Sequence, residues 1–115
     1  MKRVLSLGFA VGALVVCLPA CGGGKKGDGF VPVFNGKDLE GWKIGYGPKS
    51  NEKNSTWKVV DGMIVGEGEV SHLFSPRSDY ENFEARAEIM ISDKGNSGFY
   101  FRTAFGPGFP KGYEA

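Results

Sequence analysis

The middle of the sequence contains a hairpin signal that constrains the fold more than any other feature. Trp57–Val60 and Met63–Gly66 are two runs of β-forming residues, and Asp61-Gly62 separates them. An Asp-Gly pair between such runs is typical of a two-residue hairpin loop, because both central positions of that turn adopt positive φ. The sequence therefore predicts antiparallel strand pairing at the centre of the fold.

The remainder of the chain after Gly29 shows the same short β-type runs. The chain has 19 glycines and 6 prolines, and they interrupt it so often that no window sustains a helical period. Further extended segments are predicted at Phe30–Phe34, Val70–Phe74, Asn82–Ile91 and Asn96–Thr103. The sequence thus predicts an all-β domain, most simply a sandwich of two antiparallel sheets.

Two of these runs alternate residue by residue, which predicts their faces. In the first run, the predicted core face carries Phe83, Ala85, Ala87, Ile89 and Ile91. In the second run, one face carries Asn96, Gly98, Tyr100 and Arg102, and the other carries Ser97, Phe99, Phe101 and Thr103. The amide, phenol and guanidinium of the second run would suit a sugar, because such groups hydrogen-bond hydroxyls and an aromatic ring stacks on a pyranose. A polar face that is merely solvated is the alternative, and Tyr100 could equally be structural.

Residues 1–20 have the pattern of a bacterial lipoprotein signal peptide. Two basic residues precede the uncharged run Val4–Leu18, which is shorter than the roughly 20 apolar residues that a membrane-spanning helix needs. The four residues that end at Cys21 (LPAC) are similar to a lipobox, whose cysteine is acylated after cleavage. A glycine-rich tether follows at residues 21–29. We expect an exported protein held at the bacterial cell envelope by a lipid on Cys21; an ordinary signal peptide with an incidental cysteine is the alternative.

Charge and cysteine content narrow the function further. The formal net charge is +1, and loss of Lys2 and Arg3 with the signal peptide lowers it by two, to −1. This near-neutral chain gives no reason to expect nucleic acid as a partner. Cys17 would leave with the signal peptide and Cys21 would carry lipid, so no thiol remains for a disulfide or a nucleophile.

Four short motifs occur in a characteristic order: FNGKDLEGW (34–42), WKVVDG (57–62), GNSGFYFR (95–102) and GYE (112–114). In this order and spacing they resemble the 3-keto-disaccharide hydrolase domain family, over residues 30–115. The resemblance implies a concanavalin A-like jelly-roll β-sandwich that acts on, or binds, oxidised glycosides. Domains of the family are longer than the segment present here, so we expect residues 30–115 to be the N-terminal part of a truncated domain that is inactive alone.

The resemblance also implies a chemistry. A ketone at C3 of a sugar acidifies the C2 proton, because the carbanion is delocalised as an enolate. A base could remove that proton, the C1 aglycone could leave, and water could then add. The candidates for the base are Glu114 and His72, and Arg102 or a divalent metal ion could stabilise the enolate oxygen. The sequence specifies no cofactor, and a metal ion stays open.

The candidate residues have plainer alternatives. Glu114 could instead be a salt-bridge partner of Arg102, and a lone histidine such as His72 is more often incidental than catalytic. Asn96, Tyr100 and Arg102 are predicted to bind the carbohydrate substrate. At the level of function, a non-catalytic carbohydrate-binding module and a structural surface lipoprotein stay open, because a fold does not determine a function.

Overall fold

The described part of the protein is built from nine β-strands. The computed structural model describes residues 4–10, 14–17 and 29–115, and these residues contain no helix. Accordingly, none of them forms a helix long and apolar enough to cross a membrane. The strands are β1 (Val4–Ala10), β2 (Leu14–Cys17), β3 (Lys43–Tyr46), β4 (Ser55–Val60), β5 (Met63–Gly68), β6 (Ser71–Phe74), β7 (Glu88–Ile91), β8 (Asn96–Thr103) and β9 (Tyr113–Glu114).

The strands form two antiparallel sheets. One sheet has five strands in the order β3-β6-β1-β8-β9, and the other has four in the order β4-β5-β2-β7. Every neighbouring pair in both sheets is antiparallel. The prediction of an all-β fold with two antiparallel sheets is confirmed, whereas the jelly-roll topology stays a prediction.

The hydrophobic core lies between the two sheets. Leu73 of the five-stranded sheet packs with Trp57 and Ile64 of the four-stranded sheet, and Phe34 joins the cluster from the preceding loop. All four side chains are buried. Removing one such side chain from water contributes about 1.5–3 kcal/mol, so this cluster is the main attraction between the sheets.

A small polar network is buried beside this core. The Trp57 indole Nε1 donates a hydrogen bond to Ser71 Oγ at 2.8 Å, and Ser55 Oγ lies 2.5 Å from the same oxygen. Both serines are at most 2% exposed. Buried polar groups without partners are costly, so this network lets the indole enter the core with its N–H satisfied.

The predicted hairpin is present as β4 and β5. Val60 pairs with Met63, and the two loop residues have positive φ, 51° at Asp61 and 76° at Gly62. Positive φ at both positions is the requirement of a type I′ turn, which is why the Asp-Gly pair marks this position in the sequence.

Of the two predicted segments that flank this hairpin region, one forms a strand and the other does not. The Val70–Phe74 prediction is confirmed by β6, but Phe30–Phe34 is not a strand. A turn follows Phe34, as the Asn35-Gly36 pair in the sequence indicates: Asn35 Oδ1 accepts hydrogen bonds from the backbone N–H groups of Lys37 and Asp38 at 2.8 and 3.0 Å. Such a side-chain bond to the backbone two or three residues on is an Asx turn, and it brings Phe34 into the core.

The predicted core face of Asn82–Ile91 is wrong. Only Glu88–Ile91 forms a strand, and all ten residues of the segment are exposed. This strand, β7, lies at the edge of its sheet, where it pairs with β2 alone. Alternation shows which residues share a face, but a face becomes buried only if another layer packs on it. Within the described residues, no layer packs on the apolar face of this segment.

The predicted alternation of β8 holds only up to Phe101. Tyr100 pairs with Ser6 and Thr103 pairs with Val4, so two residues on β8 oppose one residue on β1. Arg102 adopts a φ of 55° at this β-bulge. Because Ser6 and Val4 lie two apart on β1, Thr103 lies on the face of Tyr100, contrary to the prediction.

Two central strands come from the segment predicted to be a signal peptide. β1 lies between β6 and β8, and β2 lies between β5 and β7. Cys21 lies outside the described residues, so its cleavage and lipidation stay predictions. A chain cleaved before Cys21 would lack both strands, and each sheet would lose an interior neighbour.

Candidate functional site

The candidate site lies on the face of the five-stranded sheet that points away from the core. His72 is on β6 between two core-facing residues, Ser71 and Leu73, so alternation turns it to this outer face. In the register of the sheet, Gly45 of β3 and Gly8 of β1 both stand opposite His72, and Gly98 of β8 stands opposite Gly8. The imidazole is thus the side chain that this row itself contributes to the middle of the outer face.

The glycines give space to the side chains around them. A Cβ on Gly98 would overlap Glu114 Oε1, and a Cβ on Gly45 would lie 2.8 Å from Phe74 Cε2. The carboxylate therefore lies across β8, and the phenyl ring lies across β3. Only glycine permits both close approaches.

Three of the predicted site residues meet in this region: His72, Tyr100 and Glu114. Tyr100 and Glu114 are directly opposite each other on β8 and β9. The Tyr100 hydroxyl donates a hydrogen bond to the Glu114 carboxylate. The rings of His72 and Tyr100 make an edge-to-face contact, with centroids 5.5 Å apart. We call this group the His72–Tyr100–Glu114 cluster.

The two ionisable members next to the carboxylate are both held in their neutral forms. Burial lowers the pKa of His72, and the negative charge of Glu114 opposes that shift. His72 is only 1% exposed, and among the described residues its Nδ1 has no hydrogen-bond partner. Burial, followed by the hydrogen bond to Glu114, raises the pKa of Tyr100 to about 12. At neutral pH the cluster thus contains a neutral imidazole, a protonated phenol and, in Glu114, an exposed carboxyl group.

The loop between β8 and β9, residues 104–112, covers one end of this face. The Phe109 ring makes an edge-to-face contact with His72 at 5.5 Å between centroids, and the Phe105 ring makes one with Phe74 at 5.2 Å. Lys43 Nζ lies 5.5 Å from the centroid of Phe105. A backbone hydrogen bond from Gly108 N to Tyr46 O, at 3.3 Å, ties the loop to β3.

Two predicted substrate-binding residues stand apart from the cluster. The Arg102 guanidinium donates a hydrogen bond to the carbonyl oxygen of Glu81 at 3.2 Å, because the bulge re-aims its side chain. Asn96 is exposed at the first position of β8, four residues from Tyr100. A strand rises about 3.3 Å per residue, which separates these two positions by about 13 Å.

Sequence reasoning missed the two phenylalanines of the loop. Alternation cannot assign a loop residue to a face, so nothing marked Phe105 or Phe109 as neighbours of Phe74 and His72. The available signal was the composition of the loop, AFGPGFPKG, in which aromatic residues alternate with turn residues.

The described residues contain no group of three or more His, Cys, Asp or Glu side chains that could hold a metal ion. His72 and Glu114 supply two such groups within the cluster, which is fewer than a typical protein metal site uses.

Comparison with known proteins identifies the family. A family model described as a 3-keto-alpha-glucoside-1,2-lyase-like domain matches residues 29–115. The chain belongs to this family. The resemblance inferred from the four motifs is thereby confirmed, and the match includes the whole His72–Tyr100–Glu114 cluster.

A curated member named 3-keto-disaccharide hydrolase, from Bacteroides thetaiotaomicron, is 33% identical over 84 residues. The match covers 64% of this chain and 27% of that protein, so the chain spans little more than a quarter of its relative's length. No solved structure matches the chain.

Proposed function

We propose that the protein cleaves 3-keto-glycosides by eliminating the C1 aglycone and then adding water. The observation that carries this proposal is the His72–Tyr100–Glu114 cluster, which brings a carboxylate together with a phenol and an imidazole. The family and the named relative support the choice of a 3-keto sugar as substrate. The reaction needs a base next to C2, and the cluster supplies two candidates for it.

Glu114 is the better placed base. Glu114 is exposed and therefore accessible to a substrate. His72 is only 1% exposed, and the Phe109 ring packs against it. The carboxylate removes the C2 proton, and the electron pair moves into the enolate with its oxygen at C3. The C1–O bond to the aglycone then breaks, and the departing oxygen takes up a proton from the protonated Glu114 or from water. Water adds to C1 of the resulting enone, and C2 regains a proton.

Tyr100 and His72 position this base. The phenol keeps its proton at neutral pH because its pKa is about 12, and it holds the carboxylate by a hydrogen bond. His72 supports the phenol ring edge-to-face and adds no competing positive charge, because burial lowers its pKa. A neutral neighbour matters, since an imidazolium beside Glu114 would stabilise the carboxylate and weaken it as a base.

Kinetics of the full-length protein test the assignment. Loss of a general base lowers rates by about 10²–10⁴-fold, so we expect Glu114→Gln to reduce kcat/KM for a 3-keto-glucoside by at least about 100-fold. His72→Ala should give a smaller loss through misplacement of Tyr100. The matched control is Glu67→Gln, which removes a carboxylate that pairs with Lys58 in the other sheet, and it should leave the rate unchanged.

Two results would reject the hydrolase proposal. If both Glu114→Gln and His72→Ala stayed within about twofold of the wild-type rate, the cluster would have no part in catalysis. If the protein bound glycans but released no aglycone from any 3-keto-glycoside, the non-catalytic binding module would be the better account. An intact fold with no sugar binding in calorimetry would favour the structural surface lipoprotein.

We also propose that the protein is exported and anchored to the cell envelope by lipid on Cys21; the sheets described above, which include β1 and β2, are then those of the uncleaved chain. The support is the sequence pattern of residues 1–20 and the polar tether of residues 21–29. Metabolic labelling with an alkyne fatty acid should mark the wild-type protein, and Cys21→Ser should abolish the label. Labelling that persists in Cys21→Ser would contradict this proposal.

A further inference from the structure

The outer face of the five-stranded sheet has two chemically different halves, which meet at His72. On the side of β8 and β9, the polar groups are the half-buried Tyr100 phenol and the exposed Glu114 carboxylate. On the side of β3 and the 104–112 loop, the exposed rings are those of Phe105 and Phe109. The Phe105 ring packs on the buried Phe74 and has Lys43 Nζ 5.5 Å from its centroid, and the Phe109 ring packs on His72.

The apolar half exposes two large aromatic side chains to solvent. Phe105 is 50% exposed and Phe109 is 61% exposed, although each ring has one edge contact with the sheet. Single exposed apolar residues are common, but two exposed phenyl rings on one loop beside a cluster of polar groups resemble the lining of a ligand site.

The backbone holds both rings in place. The bond from Gly108 N to Tyr46 O fixes the middle of the loop, and Gly108 adopts a φ of 80° there. Beneath the loop, a Cβ on Gly45 would lie 3.2 Å from the carbonyl oxygen of Gly106, so the loop rests almost directly on β3. An aromatic surface that is already held in position loses little conformational entropy when a ligand binds.

We propose that this apolar half is the leaving-group subsite, and that it favours glycosides with an aromatic aglycone over disaccharides. The inference rests on the proposed function, because the position of Glu114 as base places the oxidised sugar over the polar half. The C1 substituent then extends past His72 onto Phe105 and Phe109. A second sugar ring can stack one C–H face on a phenyl ring but keeps hydroxyl groups around its edge, whereas an aryl group is apolar throughout and would bury more apolar surface on Phe105 and Phe109.

Binding of unreactive ligands tests the subsite without turnover. Calorimetry on the full-length protein would compare 2-phenylethyl α-glucoside, methyl α-glucoside and maltose, none of which carries the ketone. Aromatic contacts of this kind change an affinity by roughly 2- to 12-fold each, so we expect the phenylethyl glucoside to bind about tenfold tighter than the other two.

Substitution of the two rings should remove that preference. In the Phe105→Ala, Phe109→Ala double variant we expect the three ligands to bind with affinities within about twofold of one another. Phe83→Ala is the matched control, because Phe83 is also a partly exposed phenylalanine but packs on Tyr80 outside the loop. This control should keep the full preference.

The outcomes separate this inference from the proposed function. Equal binding of maltose and the phenylethyl glucoside by the wild type, or no measurable binding of the phenylethyl glucoside, would overturn the aromatic subsite. A preference that survives in the double variant would overturn the assignment to Phe105 and Phe109. Failure of the proposed function has another signature: methyl 3-keto-α-glucoside would not be cleaved at all, whatever the binding preference.

Discussion

The two faces of strand β6 have different surroundings, although the strand has only four residues and successive residues point to opposite faces. The inner face carries Ser71 and Leu73, which join the buried polar network and the core cluster. The outer face carries His72 and Phe74, which are equally buried but contact Tyr100 and the loop between β8 and β9. Burial alone therefore does not separate structural residues from candidate functional ones in this protein; what each buried side chain touches does.

This difference has a physical basis. On the inner face, the polar atoms Trp57 Nε1, Ser71 Oγ and Ser55 Oγ are hydrogen-bonded to one another, as expected where only stability is at issue. On the outer face, His72 Nδ1 is buried without a partner within the described residues, and burial lowers the pKa of the ring. A buried unsatisfied ionisable group costs stability, and such groups are often associated with functional sites.

The largest effect is expected from the inner face. Leu73→Ala should destabilise the protein by about 2–5 kcal/mol, because Leu73 is 1% exposed and its removal leaves a cavity in the core cluster. Urea unfolding measures this loss. Met90→Ala, at a residue 62% exposed, is the control and should change the free energy of unfolding by less than about 0.5 kcal/mol. A loss below about 1 kcal/mol at Leu73 would show that the inner face is not tightly packed.

Ser71→Ala should have the next largest effect. The substitution removes the acceptor of the Trp57 indole and the neighbour of Ser55 Oγ, and an unsatisfied buried group costs about 1–3 kcal/mol. The same unfolding experiment measures it, with Thr56→Ala on the exposed side of β4 as the control. An unchanged free energy of unfolding would mean that the network contributes nothing.

Gly98→Ala, on the outer face, should lower activity more than stability, in contrast to the two substitutions on the inner face. The new Cβ would displace the flexible Glu114 side chain, so we expect kcat/KM to fall by about tenfold, the equivalent of 1.4 kcal/mol. The free energy of unfolding, measured on the same variant, should change by less than about 1 kcal/mol. Full activity in a stable Gly98→Ala protein would contradict the position assigned to Glu114.

The smallest expected effect is a pH dependence of stability that originates at His72. The folded-state pKa lies below the ordinary value of 6.5, so the unfolded chain binds the proton more readily. Stability from this group is therefore fully present above pH 6.5 and is lost as the pH falls below it, by at most about 1.4 kcal/mol per pH unit. Urea midpoints at about pH 7.5 and about pH 5.5 should differ more for the wild type than for His72→Gln; equal differences would contradict the prediction.

The sequence predicts those parts of the fold that local chemistry determines. Asp61-Gly62 specifies its turn whatever surrounds it, and the Asx turn at Asn35 is equally local. The segment Asn82–Ile91 could not be placed from its pattern, because its apolar face has meaning only if another layer packs on it. The bulge at Arg102 was also hidden, since a non-glycine residue with positive φ leaves no mark in the residue alternation.

The sequence predicted most of the residues of the candidate site but not how they are arranged in space. His72, Tyr100 and Glu114 were candidates by residue type and family resemblance, and the sheet brings them together through pairings between strands distant in sequence. Arg102 was an equally good candidate, but its guanidinium is directed to Glu81 by the bulge. The aromatic half of the face was missed because loop residues acquire a face only through tertiary contacts.

The most direct test of the central claim is the isotope content of the product in deuterated water. If Glu114 removes the C2 proton before the aglycone leaves, the 3-keto sugar released by the full-length protein should carry one solvent deuterium at C2, detected by mass spectrometry and NMR. Samples without enzyme correct for spontaneous exchange, and Glu114→Gln should form neither the product nor deuterated substrate. Release of a product that retains its original C2 hydrogen would contradict elimination, and with it the role assigned to the cluster.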